Sequence, residues 1–571
     1  MKEQIQKFFK GEIEDSKETI TKYSKDASIF EVVPKLVLFP KDSEDVQNLV
    51  KWVSENKDKY EDPEKNKEWA GLSITARCAG TDMSGGAIGE SLIIDFTRHM
   101  NKLISFGADR ITVQPGMFYR DFEKITLEKG LILPCYTASK SLNAMGGMYG
   151  NNAAGERTLK YGKTEDYVME AKVVFADGKE YVVKPFAKAE LEKKIAQNNF
   201  EGDIYKNIYD LINKNSSEIQ KAKPTVHKNS SGYYIWNVLG DQNFSYFDLN
   251  KLLVGSQGTL GIVTEITFKL LPNPKYSKLV AIFMNDLEPL GRLVDEILTQ
   301  NPETLEAYDD KTMKLAVRFF PDFLKNKGFM GMIKFMWSFL PEFFMMLSRG
   351  FPKLIILAEF AGEKNEDVDK KCLALAERIK NFKLKVHITA SEAEANKYWD
   401  IRRESFALLR KHVKGMHTAP FIDDIIVRPE LLPKFLPELN NILKDYNLMF
   451  TLAGHAGEGN FHIIPLMDFK RLDTAKIILE LGEKVYSLVA KYRGSITAEH
   501  NDGIVRTPYL EKMYGRSVTE IFQEIKKIFD PKEILNPGKK VPVVNKEGNG
   551  MGTKAYLASH IATERHAIHR V

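Results

Sequence analysis

The chain has 571 residues, more than one hydrophobic core organises, so several domains are expected. Apolar residues make up 43% and charged residues 28%, and the net charge is only +5, which excludes a strongly basic nucleic-acid-binding surface. The three cysteines, Cys78, Cys135 and Cys372, lie far apart; this excludes a disulfide framework and a cysteine-held cluster and fits a reducing compartment.

Residues 1–26 read as a polar, partly helical lead-in without the apolar run of a signal peptide, so a cytoplasmic location is expected. A strand at "LVLF" and a helix capped by Asp42 or Ser43 follow, with Val46, Leu49, Val50 and Val53 as its buried stripe. Strands are expected at "LSITARC", "SLIIDF" and "ITVQPG", the last leading into a helix from Phe118 to Glu128. A glycine- and asparagine-rich stretch, 146–162, reads as a long loop. A hairpin turns at Asp177–Gly178, and a strand ends near Pro272. Beyond Pro272, strand-like runs ("KLVAIFM", "KLIILAEF", "DIIVRPE") alternate with amphipathic helices, one of them opened by a capping box, Ser391 and Glu394. The predicted division is a first domain over 27–272, a second over 273–500 and a segment over 501–540 closing on the first. Residues 541–571, without periodicity, are expected to be a disordered tail.

Two loops of the first domain carry chemistry. "AGTDMSGG" (79–86) follows a strand, and successive backbone N–H groups in such a loop form a concave anion site that glycine lets a phosphate approach. It is not GxGxxG and no helical pattern follows at once, so a Rossmann nicotinamide site is disfavoured. The second stretch, 133–168, is too long for an ordinary connection, and its small residues leave room beside unshielded backbone donors. Two such loops suit an extended ligand with a pyrophosphate at its middle, as in FAD.

"AGTDMSGG", "GGMYGNNAAGERTLKYGKTEDYV" and "GSQGTLGIVTEITFKLLP" together resemble the flavin-binding loops of the FAD-linked oxidases of the vanillyl-alcohol-oxidase type, which include the D-lactate, glycolate and D-2-hydroxyglutarate dehydrogenases. The resemblance runs in order over roughly residues 30–540. It implies an α+β protein: a two-subdomain FAD-binding domain of the PCMH type and an α+β substrate-capping domain with an antiparallel sheet. It implies FAD contacts at Gly80, Thr81, Ser84, Gly85 and Gly86, at Pro134, Ser139, Gly146, Gly147, Asn151, Ala154 and Gly155, and at Gly162 and Ile262. The first loop has no histidine for a covalent tether, so non-covalent FAD is expected. Gln257 stands where the family more often has Glu.

"GHAGEGNFHIIP" (454–465) is similar to the family's "GHxGDGNxH" segment and "TAEHNDGIVRTPYL" (497–510) to its "EHGxG" segment. The resemblance implies that His455, His462 and Glu499 bind a divalent cation, zinc or manganese, and that His500 is the catalytic base. In one unbroken strand, residues seven apart face opposite ways, so the Ala-Gly-Glu-Gly-Asn interruption is expected to re-aim the two imidazoles to one point. Two His and one carboxylate leave open positions, where a metal could bind a substrate hydroxyl and lower its pKa. His500 would take the proton and flavin N5 the hydride. Two polar residues at a loop mouth is the plainer reading of the histidines alone.

"YWDIRRESF" (398–406) resembles the family's "WxxR" helix, which implies that Arg402 grips the substrate carboxylate; the adjacent Arg403 leaves a choice open. The hydroxyglutarate enzymes carry Thr, Lys and Asn where this chain has Phe406, Ile422 and Ile464. The second-carboxylate pocket therefore reads as apolar, and a monocarboxylic D-2-hydroxy acid such as D-lactate is the expected substrate. Glycolate oxidase and D-2-hydroxyglutarate dehydrogenase are alternatives within the family, a zinc hydrolase and a non-catalytic membrane-associated scaffold outside it. Asn501 replaces the family's usual Gly. Electrons are expected to pass to a quinone or a carrier protein, and no nucleic-acid partner is expected. The stretch 329–350, aromatic, Met-rich and flanked by lysines, is interrupted by Lys334, Pro341 and Glu342; it reads as a peripheral contact with the inner membrane face, a buried helix pair or a dimer contact.

Overall fold

The computed structural model describes residues 1–60, 71–240, 246–318, 352–412, 415–544, 548 and 550–563; the stretch 329–350 lies outside the described residues. The first sheet has four strands, β1 (Glu12–Glu14), β2 (Leu36–Phe39), β3 (Ile74–Arg77) and β4 (Leu92–Asp95), in the order β1-β2-β4-β3. β4 runs parallel to both β2 and β3; both β2 and β4 are buried throughout, and only Asp95 at the end of β4 is polar, as suits strands covered on both faces. The helix Ser43–Asn56 covers one face: Asp42 accepts the N–H of Asp45 at 3.1 Å, and Val46, Leu49, Val50 and Val53 are fully buried. The lead-in is not separate from this unit, because β1 pairs antiparallel with β2.

The second sheet is antiparallel: β5 (Leu103–Phe106), β6 (Arg110–Val113), β8 (Val168–Val174), β9 (Glu180–Val183) and β10 (Ile262–Lys269), in the order β5-β6-β10-β8-β9. A two-stranded pair of β7 (Leu131–Ile132) and β11 (Leu271–Pro272) adjoins it in sequence. The stretch expected to be one long loop instead holds two short helices, Met145–Asn151 and Thr158–Tyr161. Burial of Met145, Met148 and Tyr149 in the core under this sheet outweighs the poor helix propensity of the glycines.

The capping sheet has eight antiparallel strands: β12 (Tyr276–Met284), β13 (Thr304–Asp309), β14 (Leu354–Gly362), β15 (Lys385–Ile388), β16 (His417–Thr418), β17 (Ile425–Ile426), β18 (Met449–His455) and β19 (Asn460–Met467). Seven lie in the order β15-β12-β14-β13-β18-β19-β16, and β17 also pairs with β19. This is the α+β arrangement with an antiparallel cap. After residue 500 the chain returns to the first domain, where Phe522, Ile525 and Phe529 of the helix Arg516–Phe529 enter the core of the second sheet.

The expectation of a disordered tail over 541–571 is corrected for the described residues 541–544 and 550–563. Val543–Val544 pairs with Gly550–Met551, and Thr553 caps the helix Lys554–Ser559. Tyr556 and Leu557 are buried, the Tyr556 hydroxyl donates to Glu90 Oε1 at 2.9 Å, and the His560 carbonyl accepts the N–H of Glu31. So short an anchor has no room for a periodic pattern, and composition alone misses it. Residues 564–571 lie outside the described residues. Tyr556→Ala is expected to lower stability by about 3 kcal/mol, measured by urea denaturation; a disordered tail would leave the midpoint unchanged.

Candidate active site

The two histidines of the 451–465 stretch lie on a β-hairpin, and chain reversal brings them together rather than an interruption within one strand. In the β18–β19 register Ala453 faces His462 and His455 faces Asn460, so the two imidazoles are diagonal neighbours on one face. Their ring centroids are 5.4 Å apart. The tight turn depends on Gly459, which has φ +74°; a Cβ there would stand 1.9 Å from the Val427 carbonyl oxygen.

Glu499 and His500 arrive from a different segment, and one carboxylate fastens them. Asp424, itself at φ +67°, accepts through Oδ2 the N–H groups of Ala498, Glu499 and His500 at 2.9, 2.8 and 2.7 Å and the Thr497 hydroxyl at 2.6 Å. Its Oδ1 accepts from Asn460 Nδ2 on the hairpin. The imidazoles of His462 and His500 consequently stack with centroids 5.2 Å apart. Asn501 has φ +66°, a conformation glycine adopts freely and asparagine tolerates, so replacement of the family's glycine keeps the turn. Its amide donates to the carbonyls of Gly255 and Asn151, and Gln257 Oε1 accepts the N–H of Gly503. The segment bearing His500 is thereby tied to the loops of the first domain.

One ligand atom from each of His455, His462 and Glu499 falls within 4.8 Å of the other two. Among the described residues two other triads meet the same limit, Asp423/His462/His500 and Asp424/Glu499/His500. His455 Nε2 lies 2.9 Å from Glu499 Oε1, while its Nδ1 faces Glu306 Oε1 at 2.5 Å. Arg402 donates from Nε to the other oxygen of Glu306 at 2.5 Å. The fully buried Lys228 contacts Glu499 and, at 2.8 Å, Glu458. Among the described residues, five buried carboxylates (Glu306, Asp423, Asp424, Glu458 and Glu499) thus face three permanent cations, Lys228, Arg402 and Arg506. Two negative charges are left over when the imidazoles are neutral, the charge one divalent cation supplies.

The titratable groups respond to that excess. Burial opposes charge on His455, but Glu306 and Glu499 together outweigh it and push the imidazole up to about 9. Burial likewise opposes charge on His500, and Asp424 and Asp423 push it up to about 9. Burial would raise Glu499, yet Lys228 and His455 hold it well below the usual carboxylate range. The surrounding carboxylates thus favour positive charge on His455 and His500.

On the side of the first domain, the 79–86 loop is closed by Asp82, whose Oδ2 accepts the N–H groups of Ser84 and Gly86 at 3.1 and 2.6 Å. The N–H groups of Gly80, Thr81, Met83 and Gly85 have no hydrogen-bond partner among the described residues, and Gly80 and Gly85 have positive φ. Open donors and left-handed glycines are the makings of an anion nest. Asn151 Nδ2 donates to Asp82 Oδ1 at 2.9 Å, and Gln257 Nε2 donates to Ser84 Oγ at 3.1 Å, which draws the second loop and the Gln257 turn onto the first. A Cβ on Gly146 would meet Cys78 Sγ and one on Gly155 the Tyr136 carbonyl, whereas one on Gly147 would enter open space. Ala154 is buried. Pro134, Ser139 and Gly162 have no hydrogen bond to residues 79–86 among the described residues, and Ile262, in β10, packs in the core of the first sheet.

Residues 34–184 match the family described as FAD binding domain, and residues 273–540 match FAD linked oxidases, C-terminal domain. The chain belongs to the FAD-linked oxidases. It is 26% identical to a D-2-hydroxyglutarate dehydrogenase of Pseudomonas putida over 93% of its length, but spans about half (50%) of that relative. It is 25% identical to the glycolate oxidase subunit GlcD of Bacillus subtilis, covering 90% of this chain and 91% of that one, and 25% identical to a D-lactate dehydrogenase of Anaerostipes hadrus, covering 89% of each. Among solved structures, p-cresol methylhydroxylase with substrate bound has a TM-score of 0.64 at 15% identity, over 92% of this chain and 93% of that one. The 4-ethylphenol oxidase of Gulosibacter chungangensis has 0.65 at 14%, over 93% and 94%. These likenesses establish the PCMH-type fold. The nest and the open side of Gly147 fit FAD, whose pyrophosphate needs donors and whose flat ring needs space.

Sequence reasoning missed Glu306, Asp423, Lys228 and Glu458. Glu306 has a legible signal, one carboxylate inside the apolar strand "TLEAY"; Lys228 has none, since its partners are more than 200 residues away. Gly147→Leu is expected to leave the fold intact and reduce bound FAD at least about tenfold, read from the flavin absorbance of the purified protein. Unchanged flavin content would place the cofactor elsewhere.

Proposed function

We propose that this chain oxidises a monocarboxylic D-2-hydroxy acid to the 2-oxo acid, with FAD as the electron acceptor and a divalent cation held by His455, His462 and Glu499. The convergence of those three groups with His500, around an unbalanced double negative charge, carries the reading. Bound FAD supplies the hydride acceptor, and the cation, zinc or manganese, supplies a Lewis acid. The protein's own groups do the rest. Arg402 receives the substrate carboxylate, its guanidinium held by Glu306. His500 turns Nδ1 toward Asp423 at 2.9 Å, so Nε2 is the atom that takes the hydroxyl proton. Burial of Glu499 and Asp423 strengthens these charge contacts.

Ile422 and Ile464 support a substrate with one carboxylate. Both are buried, and Ile464 follows His462 by two residues, on the same face of β19. D-2-hydroxyglutarate is the second reading, favoured by the names of several relatives. The electrons are proposed to pass to a quinone or carrier protein, and the composition of 329–350 supports a membrane-side acceptor.

A panel of D- and L-2-hydroxy acids with an artificial dye acceptor, before and after EDTA, tests the reading. Turnover of D-lactate or a larger apolar D-acid is expected, at rates well above D-2-hydroxyglutarate, abolished by chelation and restored by Mn²⁺ or Zn²⁺. His500→Ala is expected to lower kcat by about a hundredfold or more. Preference for L-acids, or indifference to chelation, would contradict the proposal.

A further inference from the structure

Two buried carboxylates outside the ligand set each touch two functional groups at once. Glu306, on β13 in the middle of the capping sheet, places Oε1 2.5 Å from His455 Nδ1 and Oε2 2.5 Å from Arg402 Nε. Asp423 places Oδ1 3.2 Å from His462 Nδ1 and Oδ2 2.9 Å from His500 Nδ1, the latter a close charge contact bent away from hydrogen-bond alignment. Both carboxylates are fully buried. Neither moves easily: β13 is flanked by β14 and β18, and the Asp423 carbonyl accepts from Arg506 Nη2 at 2.7 Å. Each of the two hairpin imidazoles therefore has its Nδ1 occupied by a carboxylate, which leaves Nε2 for a ligand position, and each of those carboxylates has its second oxygen on a group assigned to the substrate.

We infer that Glu306 and Asp423 are paired positioning residues that couple the cation to the substrate-handling groups, Glu306 joining His455 to Arg402 and Asp423 joining His462 to His500. The inference rests on the cation reading above and goes beyond it. A carboxylate on the far nitrogen fixes a ligating imidazole's tautomer and orientation. Here the same carboxylate also sets the plane of the guanidinium or of the base, so ordering of the cation's ligands orders the substrate's contacts. The two arms separate by role: the Glu306 arm acts on carboxylate binding and the Asp423 arm on proton transfer.

The test uses Glu306→Gln and Asp423→Asn in the FAD-loaded protein, with Mn²⁺ binding measured by titration calorimetry and kinetics measured on D-lactate. Both variants are expected to bind Mn²⁺ about 10- to 100-fold more weakly. At saturating Mn²⁺, Glu306→Gln is expected to raise KM more than it lowers kcat, and Asp423→Asn to lower kcat with little change in KM. Mn²⁺ affinity equal to wild type in both variants, or identical changes in KM and kcat for the two, would overturn the inference. If wild type itself binds no Mn²⁺, the cation reading fails first, and that outcome is visible before any variant is made. Should Glu306→Gln not fold, Glu306→Asp keeps the charge but cannot span both partners, and the same readouts apply.

Discussion

The site depends on one carboxylate in a left-handed turn. Asp424 gathers three consecutive backbone N–H groups and a hydroxyl of the 497–500 segment onto one oxygen, and its other oxygen holds the hairpin. Buried N–H groups without an acceptor are costly, so this arrangement is strongly determined. It delivers Glu499 and His500 to the hairpin face that carries His455 and His462. Without it, the cluster would fall apart into two histidines on a strand pair and two residues on a separate loop.

The same segment makes the junction between the two halves of the molecule. Asn501 and Gly503 bond to the carbonyl of Gly255 and the side chain of Gln257, which in turn holds Ser84 of the nest. The glycine loops of the first domain and the His455, His462 and Glu499 cluster of the cap are brought to a common boundary by this one run of residues. The family's fold explains the geometry: the cap sheet presents one face, and the chain returns after it to finish the flavin domain.

Much of this was legible in the sequence because it was written in local patterns. The buried stripe of the helix Ser43–Asn56, the Asp177–Gly178 hairpin and the glycine loops declare themselves through periodicity and turn chemistry. His455, His462, Glu499 and His500 were recognisable through their motifs. What escaped depended on contacts distant in sequence. Glu306 meets His455 across 149 residues and Lys228 meets Glu499 across 271. Charge pairing of that kind leaves no spacing to read. The short helices within 145–161 and the anchored segment after residue 541 escaped because burial of a few side chains overrode a polar, glycine-rich composition.

Anomalous X-ray diffraction from crystals soaked in Mn²⁺ tests the central arrangement most directly. The account predicts one strong peak about 2.0–2.3 Å from an imidazole nitrogen of His455, an imidazole nitrogen of His462 and a carboxylate oxygen of Glu499. A protein that binds Mn²⁺ elsewhere, or shows no peak between these three residues, would contradict it.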